Sequence, residues 1–266
     1  MKFKTKMLVD RFASIVSQWP GVECVSLNES ALPNTLDPYF ALIMDIYYRD
    51  SIPGAEERHS QYGNDLEAFE TSGNESKDRF LIKDIPIRLE YKSVGMIEEL
   101  VSIADTRLES LWFIKDSGTY SFYRLSQGEI IFSRNDWIME IRRRLASLGD
   151  EFWLNMRNAN ESKMEHFLSD LGAALIQGDD FFYLISAAGF IKSACLTLFC
   201  INRRFEPSHR AYYKQVLELK EIPDSFRTYF ETFLTPDPEI TMERKHSLAQ
   251  LIIKGIVSLG LVPRGQ

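Results

Sequence analysis

Apolar positions recur at two different spacings along this chain, and the change from one to the other divides it. Leu8, Phe12, Ile15, Val16 and Trp19 fall at helical spacing over residues 7–19, and Pro20-Gly21 ends that helix. Residues 22–27 read as a short strand. Residues 39–48, YFALIMDIYY, are almost continuously apolar, which predicts a central strand covered on both faces. Residues 50–77 are polar and carry Gly54, Gly63 and Gly73; they read as a long, partly mobile excursion. Residues 79–91 predict a strand pair or one bent strand. There Ile85, Ile87, Leu89 and Tyr91 share one face, and Arg88, Glu90 and Lys92 the other. Met96, Ile97, Leu100 and Val101 mark a helix over 94–103. Residues 108–132 are mixed and end in Gly128-Glu129-Ile130-Ile131-Phe132, an edge strand or extended crossover.

From Asp136 onward the period is helical. Helices are expected around Trp137–Leu145 and over 152–176, 181–201, 212–219, 226–234 and 242–259. Pro207, Pro223 and Pro236 punctuate the joins. The expected fold class is therefore α/β (α+β): a small mixed sheet with helices over residues 1–133, followed by an all-α bundle over 134–262. Residues 263–266 close the sequence LVPRGQ, which resembles a protease-site remnant of an expression vector. Residues 181–201, FFYLISAAGFIKSACLTLFCI, are long enough to span a bilayer. Lys192 near the middle would cost about 2.5–3.5 kcal/mol there, so the segment is expected to be the central buried helix of the bundle.

Composition narrows the classes. With 45% hydrophobic residues among 266, each half can bury a core. A net charge of −7 argues against a general nucleic-acid binder, which needs a basic surface. Three cysteines, Cys24, Cys195 and Cys200, lack metal or disulfide spacing and sit in apolar surroundings, so they read as small buried side chains. The N-terminal stretch is amphipathic and has no signal-peptide core. Together these predict a cytoplasmic protein with no membrane partner. A homodimer is compatible with the sequence.

The chemistry-bearing residues lie in three places. GVECVSLNES holds Glu29-Ser30, LDPYFALIMDIYYRD holds Asp37 and Asp45, and the strand over residues 85–92 holds Glu90. This order resembles the nucleotidyltransferase superfamily that includes the kanamycin and lincosamide nucleotidyltransferases. The segment ACLTLFCINRRFEPSHRAYYK, with Asn202, Arg203, Arg204, Phe205 and Pro207, is similar to the helical C-terminal domain of one bacterial branch of that superfamily. The resemblance implies Mg²⁺ held by two or three carboxylates and transfer of a nucleotidyl group from a nucleoside triphosphate to a hydroxyl of a small molecule. Asp37, Asp45 and Glu90 would be the catalytic and metal-binding carboxylates. Ser30 would contact phosphate, and Lys192 and Arg203 would meet anionic substrate groups. An aminoglycoside acceptor follows by resemblance alone, and an acidic protein would attract such a polycation.

The chain departs from the pattern. Glu29 stands where the family has glycine, adding like charge beside a phosphate. The paired acid is lost in either alignment: Asp37 is followed by Tyr39 in place of an acid, and Asp45 by Tyr47. Asp45 lies about 20 Å beyond Tyr39 at ~3.3 Å per residue, so Asp37 and Asp45 cannot share one metal within a single regular strand. The plainer readings are a loop residue for Ser30, a turn starter for Asp37 and a solvated face for Glu90; Asp45 within an apolar strand needs a partner or a metal. Two rivals stay open. One is a degenerate protein of the same fold that binds without turnover. The other is a helical ribonuclease of the HEPN type, read from Arg203 or Arg204 followed by His209, with Arg on phosphate and His as general acid or base.

Overall fold

A computed structural model of the protein describes residues 3–29, 42–237 and 239–260. Seventeen elements are described: α1 (Phe3–Val16), β1 (Val22–Glu29), β2 (Leu42–Tyr48), α2 (Ala55–Tyr62), β3 (Glu67–Thr71), β4 (Lys77–Ile82), β5 (Ile85–Ser93), α3 (Val94–Asp105), α4 (Trp112–Ser117), α5 (Tyr120–Gln127), β6 (Glu129–Ser133), α6 (Trp137–Ala146), α7 (Asp150–Gln177), α8 (Asp180–Ile201), α9 (Tyr212–Leu217), α10 (Phe226–Leu234) and α11 (Met242–Gly260). They form two compact units. One comprises Met1–Ser110 and Arg124–Ser147, the other Leu111–Tyr123 and Leu148–Gln266. The architecture is the expected one: a mixed six-stranded sheet with helices, then a helical region.

The strand order in the sheet is β3-β4-β5-β2-β1-β6. Only β2 and β5 run parallel among the described pairs. β2 is central and buried along six of its seven residues, as its unbroken apolar run predicts. Period-two alternation divides its side chains. Leu42, Met44 and Ile46 join Ile87, Leu89 and Tyr91 of β5 in a core with Val9, Phe12 and Val16 of α1. Asp45 and Tyr47 therefore point to the opposite face. On that face the Tyr47 ring lies 5.4 Å from Trp137 of α6.

The strand-pair alternative for residues 79–91 is the one found. β4 and β5 form an antiparallel hairpin through Lys83 and Asp84, both left-handed at φ 49° and 64°, the backbone that a two-residue turn needs to match strand twist. The polar excursion over 50–77 is built rather than loose. Arg58 of α2 sends Nε and Nη2 to Asp78 of β4, both at 2.9 Å. Thr71, Tyr91 and Tyr62 hydroxyls complete the Asp78 shell at 2.6, 2.5 and 3.2 Å. Asp78 and Arg58 are 0% and 1% exposed, a pair that only a full set of partners makes tolerable. Sequence periodicity carries no trace of such a staple, because its members lie 20 residues apart.

In the helical unit α7 and α8 form a long hairpin. Gly178 ends α7 in the left-handed conformation at φ 65°. Asp179 caps α8 by accepting the Phe182 N–H at 2.9 Å. Gly189 lets the helices close: a Cβ there would fall 2.4 Å from the Phe167 ring. Phe190, Ala194 and Leu198 of α8 join Leu171, Phe226, Phe230 and Ile252 in one core. Among the described residues, α8 is the one helix long and apolar enough to cross a membrane. It is the expected central helix, and its burial is most complete in the C-terminal half. The N-terminal half leaves Phe181, Leu184 and Ile185 at 72%, 67% and 52% exposed.

Candidate functional site

The parallel pairing of β2 with β5 sets Asp45 directly opposite Glu90, and β1 places Ser26 opposite Asp45 on the other side. Both carboxylates thus project from the middle of the sheet on the face away from α1. Asp45 is fully buried at 0% exposed, and the Glu90 side chain is 13% exposed.

Both carboxylates are met by cations of the chain itself. Arg124, at the C-terminal half of α5, spans them: Nη2 donates to Asp45 Oδ1 at 2.5 Å and Nη1 to Glu90 Oε2 at 2.7 Å. Lys92 Nζ lies 3.0 Å from Asp45 Oδ1 and 3.8 Å from Glu90 Oε2. Arg88 Nε lies 3.0 Å from Glu90 Oε1. The other Asp45 oxygen accepts from Asn28 Nδ2 at 2.7 Å and from the Tyr47 hydroxyl at 3.1 Å. A close glycine holds the arrangement together. A Cβ on Gly128 would lie 2.7 Å from Asn28 Oδ1 and 2.9 Å from the Arg124 carbonyl oxygen. Arg142 of α6 ties the same turn by donating to the carbonyls of Leu125, at 2.8 Å, and of Gly128.

The electrostatics follow from these contacts. Burial pushes the Glu90 carboxyl up, but Arg124, Lys92, Arg88 and Lys77 together hold it below its usual range. Burial brings the Lys92 ammonium below its usual value against the pull of Asp45 and Glu90. Burial, and next the Asp45 charge, raise Tyr47 well above a normal phenol. Tyr47 is therefore a neutral donor toward Asp45 and cannot stand in for an acid.

This donor set does not fit Mg²⁺. A hard dication needs free carboxylate oxygens. Here both Asp45 oxygens are engaged, and three side-chain cations lie within 3.0 Å of Asp45 or Glu90. No cluster of three or more acids, histidines or cysteines suited to a metal occurs among the described residues.

The residues singled out from sequence fall into three groups. Asp45 and Glu90 are brought together. Ser30 and Asp37 lie outside the described residues, as does Tyr39, so of the two alignments only Asp45 with Tyr47 can be placed. Lys192 and Arg203 belong to the helical unit, where each faces an acid. Lys192 Nζ is 3.9 Å from Glu206, and Arg203 Nη2 is 2.5 Å from Asp150. His209 Nε2 lies 3.5 Å from Glu206, a carboxylate that also accepts from the Tyr212 hydroxyl and is 5% exposed. Arg124, Lys92 and Asn28 were not legible as site residues. The signal for Arg124 is slight: it stands between Phe122 and Leu125, both of which turn out to be buried.

No protein-family model matches this sequence, and no curated protein matches it. In three-dimensional comparison the chain is similar to a nucleotidyltransferase-like protein from Exiguobacterium sibiricum 255-15, known from a crystal structure at 1.90 Å. The TM-score is 0.48 and the identity 12%, over 96% of this chain and 74% of that one.

Proposed function

We propose that this chain is a nucleotidyltransferase-fold protein that binds an anionic, phosphate-bearing ligand without metal-dependent turnover. The observation that carries this reading is the Arg124 guanidinium, which bridges Asp45 and Glu90 at 2.5 and 2.7 Å. Those two carboxylates stand where the resemblance calls for metal ligands, and their charge is already answered from within the chain. A divalent cation entering there would have to displace Arg124 and Lys92 and leave them buried beside it, at a cost of several kcal/mol for each stranded charge.

The cations gathered on this sheet face give the ligand class. Lys77 pairs with Glu90 across β4 and β5, and Arg79 pairs with Arg88. With Lys92 they set four cations along a sheet face that also carries Glu90, Asp45 of β2 and Glu70 of β3, the last directly opposite Arg79. Like charges directly opposite each other are unfavourable in a sheet, and a bound anion relieves them. A nucleotide phosphate suits this face, in a chain whose overall charge of −7 would otherwise repel it.

Titration calorimetry with ATP, in EDTA and then in excess Mg²⁺, tests the reading. Binding is expected in EDTA, with little change on adding Mg²⁺ and a clear loss in Arg88→Met and Lys92→Met. Absence of binding in both conditions overturns the proposal, as does binding that requires Mg²⁺ or release of pyrophosphate in its presence.

A further inference from the structure

The exposed stripe on α8 has the form of a self-complementary surface. Phe181, Leu184, Ile185, Ala188 and Lys192 recur at spacings of three and four, so they lie along one side of the helix within an arc of roughly 100°. Phe181, Leu184 and Ile185 are 72%, 67% and 52% exposed, and the Lys192 side chain 50%. Ile176, at the adjoining end of α7, is 90% exposed. Together these side chains offer apolar area on the order of 500 Å², at the upper end of the largest patch found on an ordinary monomer. With a polar rim it approaches the ~800 Å² per partner of a stable interface.

We infer that α8 is a homodimer interface, with the α8 helices of two copies packed antiparallel about a two-fold axis that crosses the exposed stripe at the level of residue 186. Three features commit the surface to a second copy. First, the ends of the stripe differ in sign: Asp180 lies in the first turn of α8, and the half-exposed Lys192, 3.9 Å from Glu206, lies at the far end. Antiparallel pairing sets the acidic end of each helix at the level of the partner's lysine, whereas parallel pairing would stack like charges. Second, an axis near residue 186 sets Leu184 of one copy against the small Ala188 of the other. That gives a large side chain a shallow place to enter, as helix packing at 8–10 Å requires. Third, the register is self-consistent: the axis that sets Leu184 against Ala188 also brings Asp180 of each copy level with Lys192 of the other, as an isologous contact requires. A bilayer fits less well, because the stripe ends on an acid at one side and a lysine at the other.

Sedimentation equilibrium on the full chain across 1–100 µM tests the inference. The wild type is expected to dimerise in this range. Leu184→Glu, which alters a solvent-exposed position and leaves the bundle core untouched, is expected to give monomer at every concentration, with an unchanged circular dichroism spectrum. Asp180→Lys and Lys192→Asp are each expected to weaken dimerisation by at least tenfold, and the double reversal to recover most of that loss. A wild type that stays monomeric overturns the inference, including one that instead pellets with phospholipid vesicles. So does a dimer indifferent to Leu184→Glu. Recovery in the double reversal separates direct pairing of the two ends from a general effect of either charge on the helix.

Discussion

Replacing Arg124 with Met isolates what the buried charge cluster contributes. Methionine keeps much of the length and apolar stem of the side chain and removes the guanidinium. Asp45 would lose the donor at 2.5 Å but keep Lys92 at 3.0 Å, Asn28 at 2.7 Å and Tyr47 at 3.1 Å. Glu90 would lose the donor at 2.7 Å and keep Arg88 at 3.0 Å and Lys92 at 3.8 Å. Removing one partner of a buried pair typically costs about 3–5 kcal/mol. Two carboxylates are affected here, yet each retains other donors, and the unsatisfied share of each is close to one charged hydrogen bond. The expected loss is therefore about 2–4 kcal/mol. Urea denaturation with hydrogen exchange read at the amides of β2 and β5 assigns that loss to the sheet unit. A loss below about 1 kcal/mol would mean that Arg124 bridges the carboxylates without stabilising them, and the reasoning would fail.

Three other perturbations are informative. Gly128→Ala places a Cβ 2.7 Å from Asn28 Oδ1 and 2.9 Å from the Arg124 carbonyl; a loss of about 1–3 kcal/mol is expected in thermal or urea melts, as for other overpacked sites. The left-handed turn residues Lys83 and Asp84 are better served by Asn-Gly, so the double change Lys83→Asn, Asp84→Gly should stabilise the hairpin by about 1 kcal/mol, and a destabilised protein would contradict the turn assignment. Although burial works to raise Asp78, Arg58, Thr71 and Tyr91 hold its carboxyl below the usual range. A depressed folded-state value means that the stability from Asp78 is present above the unfolded value of about 3.9 and is lost as pH falls through the folded one. Glu90 acts in the same sense. Urea midpoints should accordingly hold steady from pH 7 to about pH 5 and fall below about pH 4; a fall between pH 7 and 5 would require another titrating group.

The fold was legible where periodicity is strong. The unbroken apolar run of β2 predicts a strand with two covered faces, and Met44 on one face and Tyr47 on the other are both 0% exposed. The helical period after Asp136 predicts the helices from α6 to α11, with boundaries shifted by a few residues. The excursion over 50–77 was misread because its order comes from Arg58 and Asp78, a pair that no local pattern announces. The half-exposed face of α8 was hidden for a related reason: a helix apolar on all sides gives no sign of which side lacks a neighbour. In the site, alternation along β5 puts Glu90 and Lys92 on one face, and burial of Asp45 was foreseeable from its apolar flanks. That both carboxylates would be claimed by Arg124, 79 residues from Asp45, depends on α5 folding across the sheet and is written in no spacing.

The central claim is that Arg124 and Lys92 stand where a divalent cation would otherwise be bound. Electron paramagnetic resonance of Mn²⁺ titrated into the wild-type protein measures this directly, since free and protein-bound Mn²⁺ give distinguishable signals. The account predicts that the free-ion signal stays undiminished up to millimolar protein, and that a bound fraction arises only after Arg124→Met and Lys92→Met are combined. A Mn²⁺ site of micromolar affinity in the wild type, lost in Glu90→Gln, would contradict it.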